Sequence, residues 1–384
     1  MSNENQSSLW GPLDSRFEKQ QPRKILALDG GGIRGVLTLG ILTKLEEELR
    51  QKLGRGDDFR LCDYFDHFGG TSTGAIIAAG LAIGMSTQEL LDFYQQFGKA
   101  MFAKSRYTIL GWFLSGFKFK SGPLTTKLKE VYGAETNMDI ANGKFKSLLT
   151  VVTMNRSTDS PWPISNNPFA KYNDKSRADN NQKINLFQLV RASTAAPSYF
   201  ASERIEWDKD DPSKAFVFVD GGVTPYNNPA FLLYKMSTLP AYKLNWETGE
   251  KDLLVVSVGT GAATTTGAYR NLGKLIKNIP NNLMYAMQVD QDFNCRTVGK
   301  CMYGDQIDRE VYDMVYDAKR EKDFLYVRYN ADMSDEGLKD LGFGHLDPKK
   351  IRKMDEPDNI QDLLEIGQAA AKQQIKMEHF GSFV

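Results

Sequence analysis

Three apolar runs in this chain each stop at a glycine cluster, and that repeated join restricts the fold more than any other feature. Lys24–Asp29 (KILALD) runs into Gly30-Gly31-Gly32, Ala215–Val219 (AFVFV) into Asp220-Gly221-Gly222, and Asp252–Val258 (DLLVVSV) into Gly259-Thr260-Gly261. Short continuous apolar runs of this kind suit strands buried on both faces. After the first of them, Ile33–Leu53 has helical periodicity, with a charged face at Lys44, Glu46, Glu47, Glu48 and Arg50. Strands alternating with helices predict an α/β fold whose sheet is largely parallel and covered on both sides.

A fourth join carries a reactive group. Tyr64–Phe68 reads as a short aromatic strand and Ala75–Ile83 as a buried helix, and between them lies Gly70-Thr71-Ser72-Thr73-Gly74. This is the GxSxG pattern of a nucleophile elbow, which holds a serine hydroxyl exposed on a sharp turn. A side chain at Gly70 or Gly74 would crowd such a turn. In isolation the same five residues also fit an ordinary loop serine.

A nucleophilic serine needs a base, and histidine is scarce. His67 is too close in sequence to fold over Ser72 and reads as a packed strand residue, while His345 and His379 fall in a glycine-flanked loop and the terminal tail. Asp220 is the other candidate, since it ends an apolar strand, where parallel sheets present functional groups. Burial beside Phe218 and Val219 would raise its pKa and make it a better proton acceptor; its plain alternative is a turn-forming Asp before two glycines. An oxyanion would find backbone N–H groups at Gly30, Gly31 and Gly32, at a helix start, with Arg34 adding positive charge.

The same turn has a rival reading. Gly30-x-Gly32-x-x-Gly35 matches the dinucleotide fingerprint, with Asp57 and Asp58 about twenty residues on. That acid should end a second apolar strand, whereas Gly54-Arg55-Gly56-Asp57-Asp58 is a polar turn. A phosphate loop of the Walker type fails because Val36, not lysine, follows Gly35.

Charge is balanced, 48 basic against 48 acidic residues in 384, which argues against a nucleic-acid polymer as partner. Met1–Arg23 is polar and reads as an arm without the basic-then-apolar order of a signal peptide, so a cytoplasmic location is expected. Cys62, Cys295 and Cys301 read as free thiols. The stretch from Lys99 to Lys120 mixes aromatics with lysine and arginine, which fits either a flap at a lipid surface or a packed helical insertion. Asn155–Asn181 reads as a long ordered loop that buries Trp162 and Phe169. Beyond Gly267 the pattern is mostly helical, with one strand at Phe324–Tyr329, a closing helix over Asn359–Met377, and the basic residues Lys274, Lys277, Arg296 and Lys300, which read as a solvated helix face or as contacts for phosphates.

Taken in order, DGGGIRG at Asp29–Gly35, GTSTG at Gly70–Gly74 and DGG at Asp220–Gly222 resemble the patatin-like phospholipase family, supported by VRASTAAPSYF at Val190–Phe200 and LLVVSVGTG at Leu253–Gly261. The likeness covers roughly Lys24–Gly261. It implies a three-layer α/β/α hydrolase, with an arm at residues 1–23, a catalytic core at 24–265 and a mainly helical extension at 266–384 serving as lid or regulatory surface. It further implies a Ser72–Asp220 dyad without histidine, metal or catalytic cofactor, an oxyanion hole at Gly30, Gly31, Gly32 and Arg34, and motif glycines at Gly35, Gly70, Gly74, Gly221 and Gly222. The substrate implied is a membrane glycerophospholipid, met peripherally at the inner face of the membrane. The compact type is similar to anti-phage effectors switched on by a cyclic di- or trinucleotide, and a homo-oligomer stays open. Two other classes remain beside it: a dinucleotide-dependent oxidoreductase using Gly30–Gly35, and an inactive binding protein on the same fold.

Overall fold

A computed structural model of the chain describes residues 9–101, 121–197, 199–208, 211–262, 272–316 and 320–384. The strands among them are β1 (Arg23–Leu28), β2 (His67–Thr71), β3 (Leu148–Asn155), β4 (Ser160–Ser165), β5 (Glu203–Glu206), β6 (Ala215–Asp220), β7 (Leu253–Val258), β8 (Lys300–Tyr303) and β9 (Leu325–Tyr329). They form one sheet in the order β5-β6-β3-β2-β1-β7-β9-β8, with β4 paired to β3. From β3 through β8 the neighbours run parallel. The antiparallel pairs, β3 with β4, β3 with β6 and β5 with β6, all lie at one end.

The principal helices are α1 (Gly35–Lys52), α2 (Thr73–Ala82), α3 (Thr87–Met101), α4 (Ser121–Tyr132), α5 (Leu186–Ser193), α6 (Ala230–Thr238), α7 (Leu272–Val298) and α8 (Ile360–Gln374). Alternation along the central strands sorts them into two layers. Leu26 and Leu28 of β1 and Val256 of β7 share one core with α1, α2 and α8. Ile25, Ala27 and Val255 point the other way, to Ala230 and Leu233 of α6 and Cys295 of α7. These strands therefore have no solvent face, which is why their sequences are continuously apolar. Each large aliphatic side chain so buried contributes roughly 1.5–3 kcal/mol.

The C-terminal third joins this core directly. It supplies β8 and β9, and α8 lies so close on α1 that a Cβ at Gly367 would sit 2.2 Å from the Leu37 carbonyl oxygen. At the other end, residues 9–18 form short helical turns, and Trp10 is buried with its ring stacked on Phe17.

Several local expectations change. The elbow strand begins at His67, because residues 61–64 make a helical turn. Trp162 lies not in a loop but in β4, against β3. Arg296 is buried, bonded to Asp292 and to the carbonyls of Asp305 and Asp313, and Lys300 pairs with Glu250; neither belongs to a solvated helix face. Cys62, Cys295 and Cys301 are free thiols as expected, all three buried. α3 starts with a reciprocal cap, in which Ser86 N–H donates to Glu89 Oε2 and Glu89 N–H to Ser86 Oγ, and residues 102–120, most of the stretch read as either flap or helical insertion, lie outside the described residues.

Candidate active site

Between β2 and α2 a single residue makes the turn. Ser72 has φ 56° and ψ −121°, a conformation that costs a non-glycine residue roughly 1–3 kcal/mol and persists only where neighbours enforce it. The enforcement is visible. The Ser72 N–H donates to Ser193 Oγ at 2.9 Å, and Ser193 Oγ donates to the Val152 carbonyl at 2.6 Å. The flanking glycines permit contacts that side chains would forbid: a Cβ on Gly70 would lie 2.1 Å from the Gly74 carbonyl oxygen, and one on Gly74 2.2 Å from that of Leu28.

Asp220 ends β6, opposite Thr153 of β3. Its Oδ2 accepts the Ser72 hydroxyl at 2.6 Å and its Oδ1 accepts the Gly222 N–H at 2.7 Å. The Asp220 N–H donates to the Ala195 carbonyl at 3.0 Å, so the residues that finish α5 hold both partners, Ser193 through one backbone and Ala195 through the other. Burial pushes the Asp220 carboxyl up to about 6, against the pull of the Ser72 hydroxyl, the Gly222 amide and the Arg191 charge. The carboxylate is thus ionised at neutral pH and more basic than an exposed one. Gly221 is compelled by closeness, since its Cβ would meet the Val152 carbonyl oxygen at 2.3 Å.

The glycine loop after β1 lies against the serine, with a Cβ on Gly30 placed 3.3 Å from that of Ser72. The Gly30 N–H is committed to the Asn227 carbonyl at 3.0 Å, which removes it from the three expected donors. The Gly31 and Gly32 N–H groups have no partner among the described residues. Gly32 needs its lack of a side chain, having φ 62° and the Met354 carbonyl oxygen 2.3 Å from where a Cβ would stand. Arg34 turns onto the backbone instead of into open space, with Nε 3.4 Å from the Gly31 carbonyl and Nη1 3.2 Å from that of Gly261. Burial lowers its pKa to about 10, and nearby Arg352 adds to the effect. Gly35 opens α1 against Thr73, whose Oγ1 would be 2.3 Å from a Cβ there.

The histidines are engaged elsewhere. His67 lies between Ser237 Oγ and Thr150 Oγ1 at 3.1 and 2.8 Å, and burial pushes it down to about 3, so it stays neutral. His379 meets the Tyr329 hydroxyl at 3.0 Å, and His345 is exposed. Ser193, Ala195, Asn227 and Thr260 were not singled out as site residues, although two of the stretches that carry the family likeness contain three of them. Asp29 also has a fixed partner: Arg328 grips it through two nitrogens at 3.1 and 2.6 Å.

Asp57 and Asp58 fall in the turn after α1, and the next strand, β2, ends at Thr71, so no acid occupies the ribose-binding place of a dinucleotide fold. Comparison with known proteins settles the family. The sequence profile of the Patatin family, described as patatin-like phospholipase, matches residues 26–234, just over half of the chain. The chain belongs to the patatin-like phospholipase family. Its family domain thus runs from β1 into α6 and takes in Ser72, Asp220 and the glycine loop between its ends. The chain is similar to a cGAMP-activated phospholipase of Vibrio cholerae serotype O1, 31% identical over 224 residues, covering 58% of this chain and 59% of that one. It is equally similar to a cGAMP-activated phospholipase of Escherichia coli strain TW11681, 31% identical over 245 residues and covering 62% and 63%. Patatin-like protein 3 of Arabidopsis thaliana is 27% identical over 389 residues, with 91% and 81% covered. The chain therefore spans about three fifths of the length of the two bacterial relatives.

Proposed function

We propose that this patatin-like chain is a serine acyl hydrolase that cleaves ester-linked fatty acids from membrane glycerophospholipids. The observation that carries the reading is the 2.6 Å hydrogen bond from Ser72 Oγ to a buried Asp220 carboxylate. In the proposed reaction Ser72 Oγ attacks the ester carbonyl carbon while Asp220 takes the hydroxyl proton. The N–H groups of Gly31 and Gly32 receive the oxyanion, and a donor of that kind is worth roughly a hundredfold to a thousandfold in rate. Collapse of the tetrahedral adduct expels the lysolipid alkoxide, which recovers the proton from Asp220. Water then attacks the acyl-Ser72 ester with Asp220 again as base, and as the adduct collapses the fatty acid leaves and Ser72 Oγ recovers the proton from Asp220.

We further propose that the enzyme works peripherally at the inner face of the membrane and is switched on by a cyclic oligonucleotide in anti-phage signalling. The likeness to two bacterial cGAMP-activated phospholipases supports the switch. Among the described residues no helix is long and apolar enough to cross a membrane.

Mixed phospholipid vesicles incubated with the protein, with and without cGAMP and related cyclic di- and trinucleotides, test the whole reading. Fatty acid should be released in the presence of one nucleotide and not by Ser72→Ala. Release without any nucleotide would remove the switch and leave the hydrolase; no release in any condition would count against both.

A further inference from the structure

The turn Gly259-Thr260-Gly261, a sequence landmark to which the mechanism above gives no part, lies against the glycine loop. Thr260 is fully buried, and its Oγ1 donates to the Gly30 carbonyl at 3.1 Å. Asn227 Nδ2 reaches the same oxygen at 3.4 Å, while the Asn227 carbonyl accepts the Gly30 N–H at 3.0 Å. In a planar trans peptide the C=O of one residue and the N–H of the next point in opposite directions. A grip on the Gly30 carbonyl therefore aims the Gly31 N–H, and the Arg34 grip on the Gly31 carbonyl aims the Gly32 N–H in the same manner. The turn is itself anchored: Thr38 Oγ1 donates to the Gly259 carbonyl at 2.8 Å, and the Gly261 N–H donates to Asn330 Oδ1 at 2.8 Å. Contact is close enough that a Cβ on Gly31 would stand 2.3 Å from Thr260 Oγ1.

We infer that Thr260 is a positioning residue for catalysis: with Asn227 it holds the Gly30 carbonyl so that the Gly31 N–H faces the developing oxyanion. Thr260 itself touches neither substrate nor Ser72. Preorganised donors stabilise a transition state because they need no reorientation when charge appears, so a loop free to rotate would keep its substrate affinity and lose rate. This inference rests on the hydrolase reading and adds to it a residue from outside the matched family domain.

The test compares wild type, Thr260→Val and Thr260→Ser on a soluble p-nitrophenyl ester, with the nucleotide selected by the vesicle assay present. Rates of Ser72 labelling by a fluorophosphonate, whose phosphoryl oxygen needs the same donors, are read in parallel. Thr260→Val should lose about tenfold to a hundredfold in kcat and in labelling rate, with KM within about twofold and the pH midpoint unmoved. Thr260→Ser, which keeps the hydroxyl, should recover to within about threefold of wild type. Thr260→Val at the wild-type rate, a loss that Thr260→Ser does not restore, or a loss that follows Tm or moves the pH midpoint would each overturn the inference. A wild type that neither labels nor hydrolyses would overturn the hydrolase reading beneath it, a result distinguishable from the others because it appears without any substitution.

Discussion

The Asp220 carboxyl sets two opposite pH dependences. Its buried state raises its pKa from 3.8 to about 6, so the folded chain holds this proton more tightly than the unfolded one. Below about 4 both states are protonated and the site costs nothing. As pH rises from about 4 to 6 folding stability falls, and above about 6 the full cost, on the order of 2–3 kcal/mol, is present. Asp220→Asn removes that cost, so its Tm relative to wild type should climb between pH 4 and pH 7. A difference independent of pH would contradict the burial argument. Ser193 offers a second test: Ser193→Ala leaves the Ser72 N–H without its acceptor and should cost about 1–3 kcal/mol in urea unfolding, while an unchanged midpoint would mean that the elbow holds itself.

Elements that bury one chemistry were legible in the sequence, and those that depend on a partner were not. β1 and β7 announce themselves because central strands are apolar throughout and end at glycines; β6, equally apolar in sequence, instead lies half-buried beside the edge strand β5 and pairs antiparallel. Ser72 and Asp220 follow, since each sits at such an end. β4 escaped notice because Pro161 and Pro163 interrupt it, and a strand paired only with β3 tolerates residues that cannot donate to a ladder. Four-residue β8 is too short to show a period. Arg296 looked solvated because, although Asp292 stands one turn earlier on the same helix, nothing in the sequence shows that the carbonyls of Asp305 and Asp313 close over the guanidinium. Thr260 and Asn227 act through contacts about two hundred residues away, which no spacing rule reports. At this scale the α1–α8 crossing is the sensitive point. Gly367→Ala would drive a methyl into the Leu37 backbone and should destabilise by about 1–3 kcal/mol in thermal unfolding; wild-type stability would show the helices free to separate.

Across the molecule the loops that carry Ser72, Asp220 and the glycine turn form one structure with the C-terminal third. β9 pairs with β7, Arg328 of β9 grips Asp29 at the mouth of the glycine loop, and α8 covers α1. Arg328→Met should cost about 3–5 kcal/mol by leaving the Asp29 carboxylate buried without its partner, as read by urea unfolding; a loss under about 1 kcal/mol would mean that Asp29 is stabilised by other groups. The account as a whole depends on a serine activated by an aspartate. The most direct measurement is the pH dependence of kcat/KM on a soluble ester, under the nucleotide condition that the vesicle assay selects and with Ser72→Ala beside it. An aspartate base predicts a rate that rises through a midpoint near 6 to a plateau, and no turnover by Ser72→Ala. A flat profile, or turnover surviving in Ser72→Ala, would contradict it.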